Sequence, residues 1–297
     1  MKSFKILILC LLCLSASMVY SQQKHRALSF RQADSLRPRY VDLGFGASYF
    51  NFRDFATSPL FYHGMKGNFS VFRLTQDEQR DSRQGFVLGF GAASTFGNSM
   101  NTGAVLGRLD IIHTELYQIA PDLHEKWNLK IGGMINLSGN IRQNSSFNNN
   151  SFGAEALGTL FASFRLGRDV SRTELKTIDL WVCSFGLIPR KRELAFQFNT
   201  ALVNATYRNA YNYMDHSSIF DEYNYFNRHE LEFFSGYRLN TALEYTIHLN
   251  NNNAFRLSYL WDAYYTGPKT ERFEMAEHQI LFSFLFYLNE PVKPGTK

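Results

Sequence analysis

Trp127-Asn128-Leu129-Lys130-Ile131-Gly132-Gly133-Met134-Ile135-Asn136-Leu137-Ser138-Gly139-Asn140-Ile141-Arg142 carries two interleaved patterns. Odd positions run Trp127, Leu129, Ile131, Gly133, Ile135, Leu137, Gly139 and Ile141. Even positions hold Lys130, Arg142 and three asparagines, Asn128, Asn136 and Asn140. Successive side chains of a strand point to opposite faces, so the stretch reads as one long strand with an apolar and a polar side. A helix would scatter both sets. The even side must meet water or other polar groups, and the odd side needs hydrocarbon.

The same alternation recurs on either side. Upstream it covers Tyr40–Tyr49, Met65–Val71, Gln84–Phe96 and Val105–Ile111; downstream it covers Phe152–Leu166, Leu239–Leu249, Phe255–Trp261 and Ile280–Leu288. Thr177–Leu187 is apolar almost throughout and reads as a seventh strand of ambiguous facing, with an eighth starting near Leu194. Residues 204–237 alternate poorly. They fit a short strand near Tyr207–Tyr213, a loop over Asp215–Phe226 and a return strand, or else one long excursion. The total is about twelve strands, with ten the alternative, and an even number suits an antiparallel transmembrane β-barrel with both chain ends on the periplasmic side.

At the amino terminus Lys2 and Lys5 precede an apolar run, Ile6–Val19, and then Val19-Tyr20-Ser21, the pattern of a secretory signal peptide. The expected organisation is a signal peptide over 1–21, a short periplasmic lead-in over 22–39, a barrel over 40–289 and a polar tail over 290–297. Cys10 and Cys13 fall inside the signal segment, so Cys183 alone would remain and no internal disulfide is possible. The formal charge is +5, from 31 basic against 26 acidic residues; setting aside Lys2 and Lys5 leaves 29 against 26, or +3. That excess is too small to point to nucleic acid.

No apolar run after residue 21 reaches the roughly 20 residues of a transmembrane helix. Aromatics nevertheless make up 16%, with 28 Phe and 16 Tyr, and only 7 Pro are present. In a membrane barrel only alternate residues face lipid, and aromatic girdles mark both interfaces, which gives this combination. A secreted soluble β-protein is the competing class, since it could carry the same stripes with the apolar side inward.

Tyr259-Leu260-Trp261-Asp262, then Ala276-Glu277-His278 and the ladder Ile280, Phe282, Phe284, Phe286 and Leu288, resemble the ending of outer-membrane β-barrel proteins of Bacteroidota, a broad group with many members of unassigned function. The resemblance implies an outer-membrane barrel, contact with outer-membrane lipid, and an envelope protein as a possible partner. The polar tail Pro291–Lys297 departs from the usual terminal aromatic.

Hydrolytic chemistry needs a nucleophile, a base and an orienting carboxylate within hydrogen-bond reach of one another. Asp262 and Tyr264 with His278 form one such set, on neighbouring strands. Asp54, Ser58 and His63 around the first connection form another, and Asp215-His216-Ser217-Ser218 a third. The layout over Asn51–Gly64 is loosely similar to the start of lipid A deacylases, although their acidic pair and nucleophile context is not reproduced and the His-x-Ser-Asn motifs of outer-membrane phospholipases and deacylases are absent. The eight His show no ligand spacing, so neither metal nor cofactor is implied. Arg190-Lys191-Arg192, placed by strand parity on an outer loop, could contact lipid phosphates.

The functional expectation is therefore an integral barrel with a structural, interaction or small-solute passage role, the alternative being a lipid-modifying hydrolase. Arg108, Asp110, Lys130, Glu155 and Arg165 are expected to form a charge network in the lumen. Lys130 should pair with a carboxylate such as Asp110.

Overall fold

A computed structural model describes residues 37–56, 58–95, 102–120, 126–144, 152–180, 183–209, 229–267 and 272–288. The expected signal peptide and polar tail, most of the lead-in, and Asp215-His216-Ser217-Ser218 lie outside them.

Long strands account for nearly all of the described chain: β1 (Arg39–Asp54), β2 (Ser58–Gln76), β3 (Arg80–Ser94), β4 (Gly103–Gln118), β5 (Trp127–Gln143), β6 (Phe152–Asp169), β9 (Arg192–Asn209), β11 (Tyr237–His248), β12 (Ala254–Thr266) and β13 (Phe273–Tyr287). Three short strands, β7 (Lys176–Leu180), β8 (Cys183–Leu187) and β10 (His229–Phe233), complete the set. The ten long strands pair antiparallel in the ring order β9-β11-β12-β13-β1-β2-β3-β4-β5-β6, and β6 returns to β9 to close it. The backbone groups of the ring strands thus pair with neighbouring strands on both sides, apart from irregularities at Phe52–Asp54 and near Leu202.

Of the two strand counts the sequence allowed, the structure takes ten. The region read as a seventh strand, Thr177–Leu187, lies outside the ring as a separate β7–β8 hairpin. The short strand expected near Tyr207 is the end of β9, which runs unbroken from Arg192 to Asn209. β10 pairs with that end of β9, beyond the portion paired with β11. Between β10 and β11 the chain breaks at Phe234 and Gly236, both in the left-handed region (φ 57° and 70°). A Cβ at Gly236 would run into the backbone oxygen of Tyr265, so glycine is required there.

The ten ring strands are 12 to 19 residues long, more than the roughly 9–11 that a tilted strand needs to cross a bilayer. The end where β1 begins and β13 finishes is called the near end. It also carries the turn after β2, the β7–β8 hairpin and the turn over Leu249–Asn253, where Asn252 has φ 62°. The connections β1–β2, β3–β4, β5–β6 and β12–β13 lie at the far end.

Burial is inverted relative to a water-soluble protein. Arg238 and Arg256 are 1% and 2% exposed, whereas Ile135 and Leu137 are 48% and 53% exposed. On β5 the buried set is Lys130, Met134, Asn136, Ser138, Asn140 and Arg142, and the exposed set is Ile131, Ile135, Leu137 and Ile141. A soluble barrel would have exchanged the two.

Candidate functional site

The interior is bridged across by ion pairs in three tiers. In the far tier, Asp54 of β1 accepts hydrogen bonds from Arg142 Nη2 of β5 at 2.9 Å and from Arg208 Nη2 of β9 at 3.0 Å. Tyr264 donates to Glu155 Oε1 at 2.8 Å. Aromatic rings fill the space around these groups: Phe52 stacks on Tyr62 with centroids 4.8 Å apart, and the Arg142 guanidinium lies 4.0 Å over the Phe273 ring.

The middle tier is the densest. Arg108 of β4 bonds Asp262 Oδ2 of β12 at 2.7 Å, Glu277 Oε2 of β13 at 3.2 Å and its own-strand neighbour Asp110 at 2.8–2.9 Å. Arg238 of β11 donates to both oxygens of Asp262 at 2.8 and 2.9 Å, a bidentate clamp, and to Ser138 Oγ of β5 at 2.8 Å. Ser138 in turn donates to Asp110 at 2.6 Å, and Lys66 pairs with Glu277 at 2.8 Å. Gly89 makes room for this tier, because a Cβ there would sit 2.5 Å from Asn68 Oδ1 and 3.1 Å from Lys66 Cδ.

In the near tier Arg165 of β6 pairs with Glu244 of β11 at 2.7 Å and Asp81 of β3 at 3.3 Å. Arg83 reaches Glu244 at 3.0 Å, Arg256 reaches Asp42 at 3.4 Å, and Gln76 donates to Glu193 at 3.1 and 3.2 Å. Two cavities, of about 70 and 40 Å³, lie along the lumen on either side of a constriction to which Val87, Ile112 and Leu260 contribute. A buried water needs about 10–15 Å³ of such volume, so each has room for a few waters.

The exterior has its own order. At the near end, Arg168 lies 4.9 Å over Trp127, Arg80 5.5 Å over Tyr117, and Arg192 donates to the Tyr245 hydroxyl at 3.3 Å. At the far end, Arg53 lies 4.8 Å over Phe61 and Arg272 4.7 Å over Tyr265, while Tyr259 and Tyr49 meet His278 and His63 at 2.7 and 3.3 Å. Aromatic rings with cationic or polar tips lie toward both ends of the outer wall, and aliphatic and Phe side chains, among them Phe45, Phe86 and Phe282, cover the wall between them, as the interfaces and hydrocarbon core of a bilayer require.

The sequence candidates fall into this frame as follows. Arg108, Asp110, Lys130, Glu155 and Arg165 all project inward and are buried. Lys130 does not meet Asp110, however. Its ammonium pairs with Asp81 at 2.7 Å and also reaches the Asp77 carbonyl, because β3 begins at Arg80 and brings Asp81 into the lumen.

The catalytic groupings come apart. Asp262 and Tyr264 are interior, but His278 pairs in register with Trp261 and Tyr49 on the outside, where it bonds Tyr259. Asp54 and Ser58 are buried, while His63 faces outward and bonds Asn51 Oδ1 at 2.5 Å. Arg190-Lys191-Arg192 lies at the near end, not on a loop of the far end, because the hairpin consumed the strand that would have carried it across.

The structure adds Arg238, Arg256, Glu244 and Glu277 to the five interior charges expected. Parity already sets Glu244 and Arg256 on the polar faces of β11 and β12, and Glu277 on the face of β13 opposite His278. For Arg238 the break at Gly236 hid it.

No family model matches the chain, and no curated protein does. Among solved structures it is similar to the outer membrane protease OmpT from Escherichia coli, with 7% identity over 84% of this chain and 97% of that one, at a TM-score of 0.49. It is also similar to the translocator domain of the autotransporter NalP from Neisseria meningitidis, with 12% identity over 92% and 96% of the two chains and a TM-score of 0.35. A third is the COG4313 outer membrane channel from Pseudomonas putida F1, with 10% identity over 84% and 96% and a TM-score of 0.34.

Proposed function

We propose that the chain is an integral outer-membrane β-barrel with a sealed interior, serving a structural or interaction role and not the passage of solutes. One observation supports this above the others: guanidinium–carboxylate bonds cross the lumen in all three tiers, as from Arg108 to Asp262, Arg142 to Asp54 and Arg165 to Glu244. A solute would have to part these pairs in a low-dielectric interior, and stranding one partner of a buried pair costs about 3–5 kcal/mol. In this reading the near end is periplasmic, export runs through the amino-terminal signal segment, and outer-membrane lipid is the medium of the exterior.

The hydrolase alternative draws no support from Asp262 with His278 or from Asp54 with His63, since the barrel wall separates the members of each set. The test is a planar-bilayer recording of the refolded protein. The reading expects a silent membrane, and a stable, large conductance step would overturn it in favour of a channel. Mass spectrometry of lipid A and phospholipids, with and without the protein, should show unaltered acylation.

A further inference from the structure

The middle tier encloses one of the two lumen cavities, of about 40 Å³. Three cations, Lys66, Arg108 and Arg238, and three carboxylates, Asp110, Asp262 and Glu277, line it, so the tier is neutral as it stands. Its bonds leave three side-chain atoms over. Asn68 Nδ2 donates to Ser48 Oγ at 3.0 Å, and Glu277 Oε2 accepts from Lys66 and Arg108. Asn68 Oδ1, Glu277 Oε1 and Gln279 Nε2, however, have no hydrogen-bond partner among the described residues. All three residues line the cavity and are less than a tenth exposed. Buried polar atoms are rarely left so, and each calls for a partner inside the cavity.

The three atoms differ in kind, and that identifies the partner. Two are acceptors and one is a donor. A cation would have the Gln279 N–H and three neighbouring positive charges against it, and an anion would face two oxygens. Either would also leave net charge in a tier already balanced, with no counter-charge to offset its desolvation. Water donates to Asn68 Oδ1 and Glu277 Oε1 and accepts from Gln279 Nε2. At about 10–15 Å³ for each water, the volume takes about three. Gly89 keeps the place open, since a Cβ there would lie 2.5 Å from Asn68 Oδ1.

Apolar side chains shut the cavity at both ends. Toward the far end Arg108 Nη1 meets Met275 Sδ at 3.9 Å, and Met275 belongs to the buried cluster of Phe52, Tyr62, Leu106, Leu157 and Phe273. Toward the near end Val87, Ile112 and Leu260 line both cavities, with Asn136 and Asn240 completing the constriction between them. Asn136 is engaged by Asp110 and Ser138, and Asn240 by Asn199. Branched apolar side chains at a constriction hold no water, which is how hydrophobic constrictions close a pore.

We propose that the middle tier is a binding site for about three structural waters, held by Asn68 Oδ1, Glu277 Oε1 and Gln279 Nε2. The collar of Val87, Ile112 and Leu260 keeps them from exchanging with the near end. The waters complete the hydrogen bonding of the ion-pair network and make it a hydrated, closed compartment. This rests on the reading of the interior as sealed, and the test separates the two.

The refolded full chain is crystallised from detergent with rubidium bromide, whose ions scatter anomalously. The expected result is ordered, non-anomalous density within hydrogen-bond distance of the three atoms. An anomalous peak there overturns water in favour of an ion, and a cavity without density overturns the site. Deuteron relaxation dispersion of the protein in micelles then counts the long-lived waters and times their exchange. The count should fall when Asn68→Leu and Gln279→Leu are combined. Residence times should shorten several-fold in Val87→Thr, which keeps the side chain's shape and adds a hydroxyl, and further in Leu260→Ser. Met134→Thr, which alters the near cavity alone, should leave them unchanged. Unaltered exchange in both collar variants, with circular dichroism showing a folded barrel, overturns the collar, as does an equal shortening in Met134→Thr. A conductance step in the planar bilayer, with the waters in place, overturns the sealed reading and leaves the water site standing.

Discussion

Ile141 and Arg142 are neighbours in the chain, yet they sit in different media. Ile141 is 55% exposed on the outer wall, and Arg142 is 5% exposed between Asp54 and the Phe273 ring. The outer wall is held by non-directional burial in hydrocarbon, which tolerates exchange of one apolar side chain for another. The interior is held by directional charge-assisted bonds, each needing its partner at about 2.7–2.9 Å. Similar substitutions on the two faces should therefore have opposite consequences.

The largest effect should come from Asp54→Ala, which removes the short ion pairs of both Arg142 and Arg208 and leaves them the longer contacts to Glu155 at 3.7 Å and to the Thr266 carbonyl at 3.4 Å. A loss of about 3–5 kcal/mol is expected in urea unfolding of the barrel in lipid vesicles. A loss below about 1 kcal/mol, the range of exposed pairs, would break the distinction between the two faces. Next comes Leu137→Arg, a charge placed on the outer wall near mid-strand, where about 2–4 kcal/mol should be lost in the same measurement. If Leu137→Arg is neutral while Asp54→Ala is costly, the wall there faces water and not lipid.

Gly89→Val tests how tightly the interior is filled. The added side chain collides with Asn68 and Lys66, and overpacking of this kind costs about 1–3 kcal/mol. A lowered unfolding temperature by circular dichroism should report it. The smallest effect belongs to the girdle: Arg168→Gln removes the cation over Trp127 and should cost about 0.5–1 kcal/mol. A blue-shifted Trp emission without loss of fold would sharpen the assignment of Trp127 to the interface.

Most of the barrel was legible because β-alternation is a local signal: the two faces of β1 to β6 and β11 to β13 follow from counting by twos. Three things were not local. The Thr177–Leu187 region is apolar throughout, so only its pairing partner tells a wall strand from a hairpin, and that error moved Arg190-Lys191-Arg192 to the wrong end. The inward set could be read strand by strand, but partners depend on ring stagger, which is why Lys130 was matched to Asp110 in place of Asp81. The triad guesses failed for the most instructive reason. Asp262 and His278 are close along a hairpin yet occupy opposite faces, and facing was already fixed by their spacing from Trp261 and Glu277.

The cross-lumen bonds also set the order in which this chain can acquire its structure. Asp42 and Arg256 are 214 residues apart, and Asp54 and Arg208 are 154 apart. A growing sheet that ends before β12 offers Arg108 neither Asp262 nor Glu277. Contacts of such sequence separation form late and slowly. Ring closure and neutralisation of the interior are therefore one kinetic event, and a barrel caught before it would be an open, highly charged sheet that membrane hydrocarbon rejects.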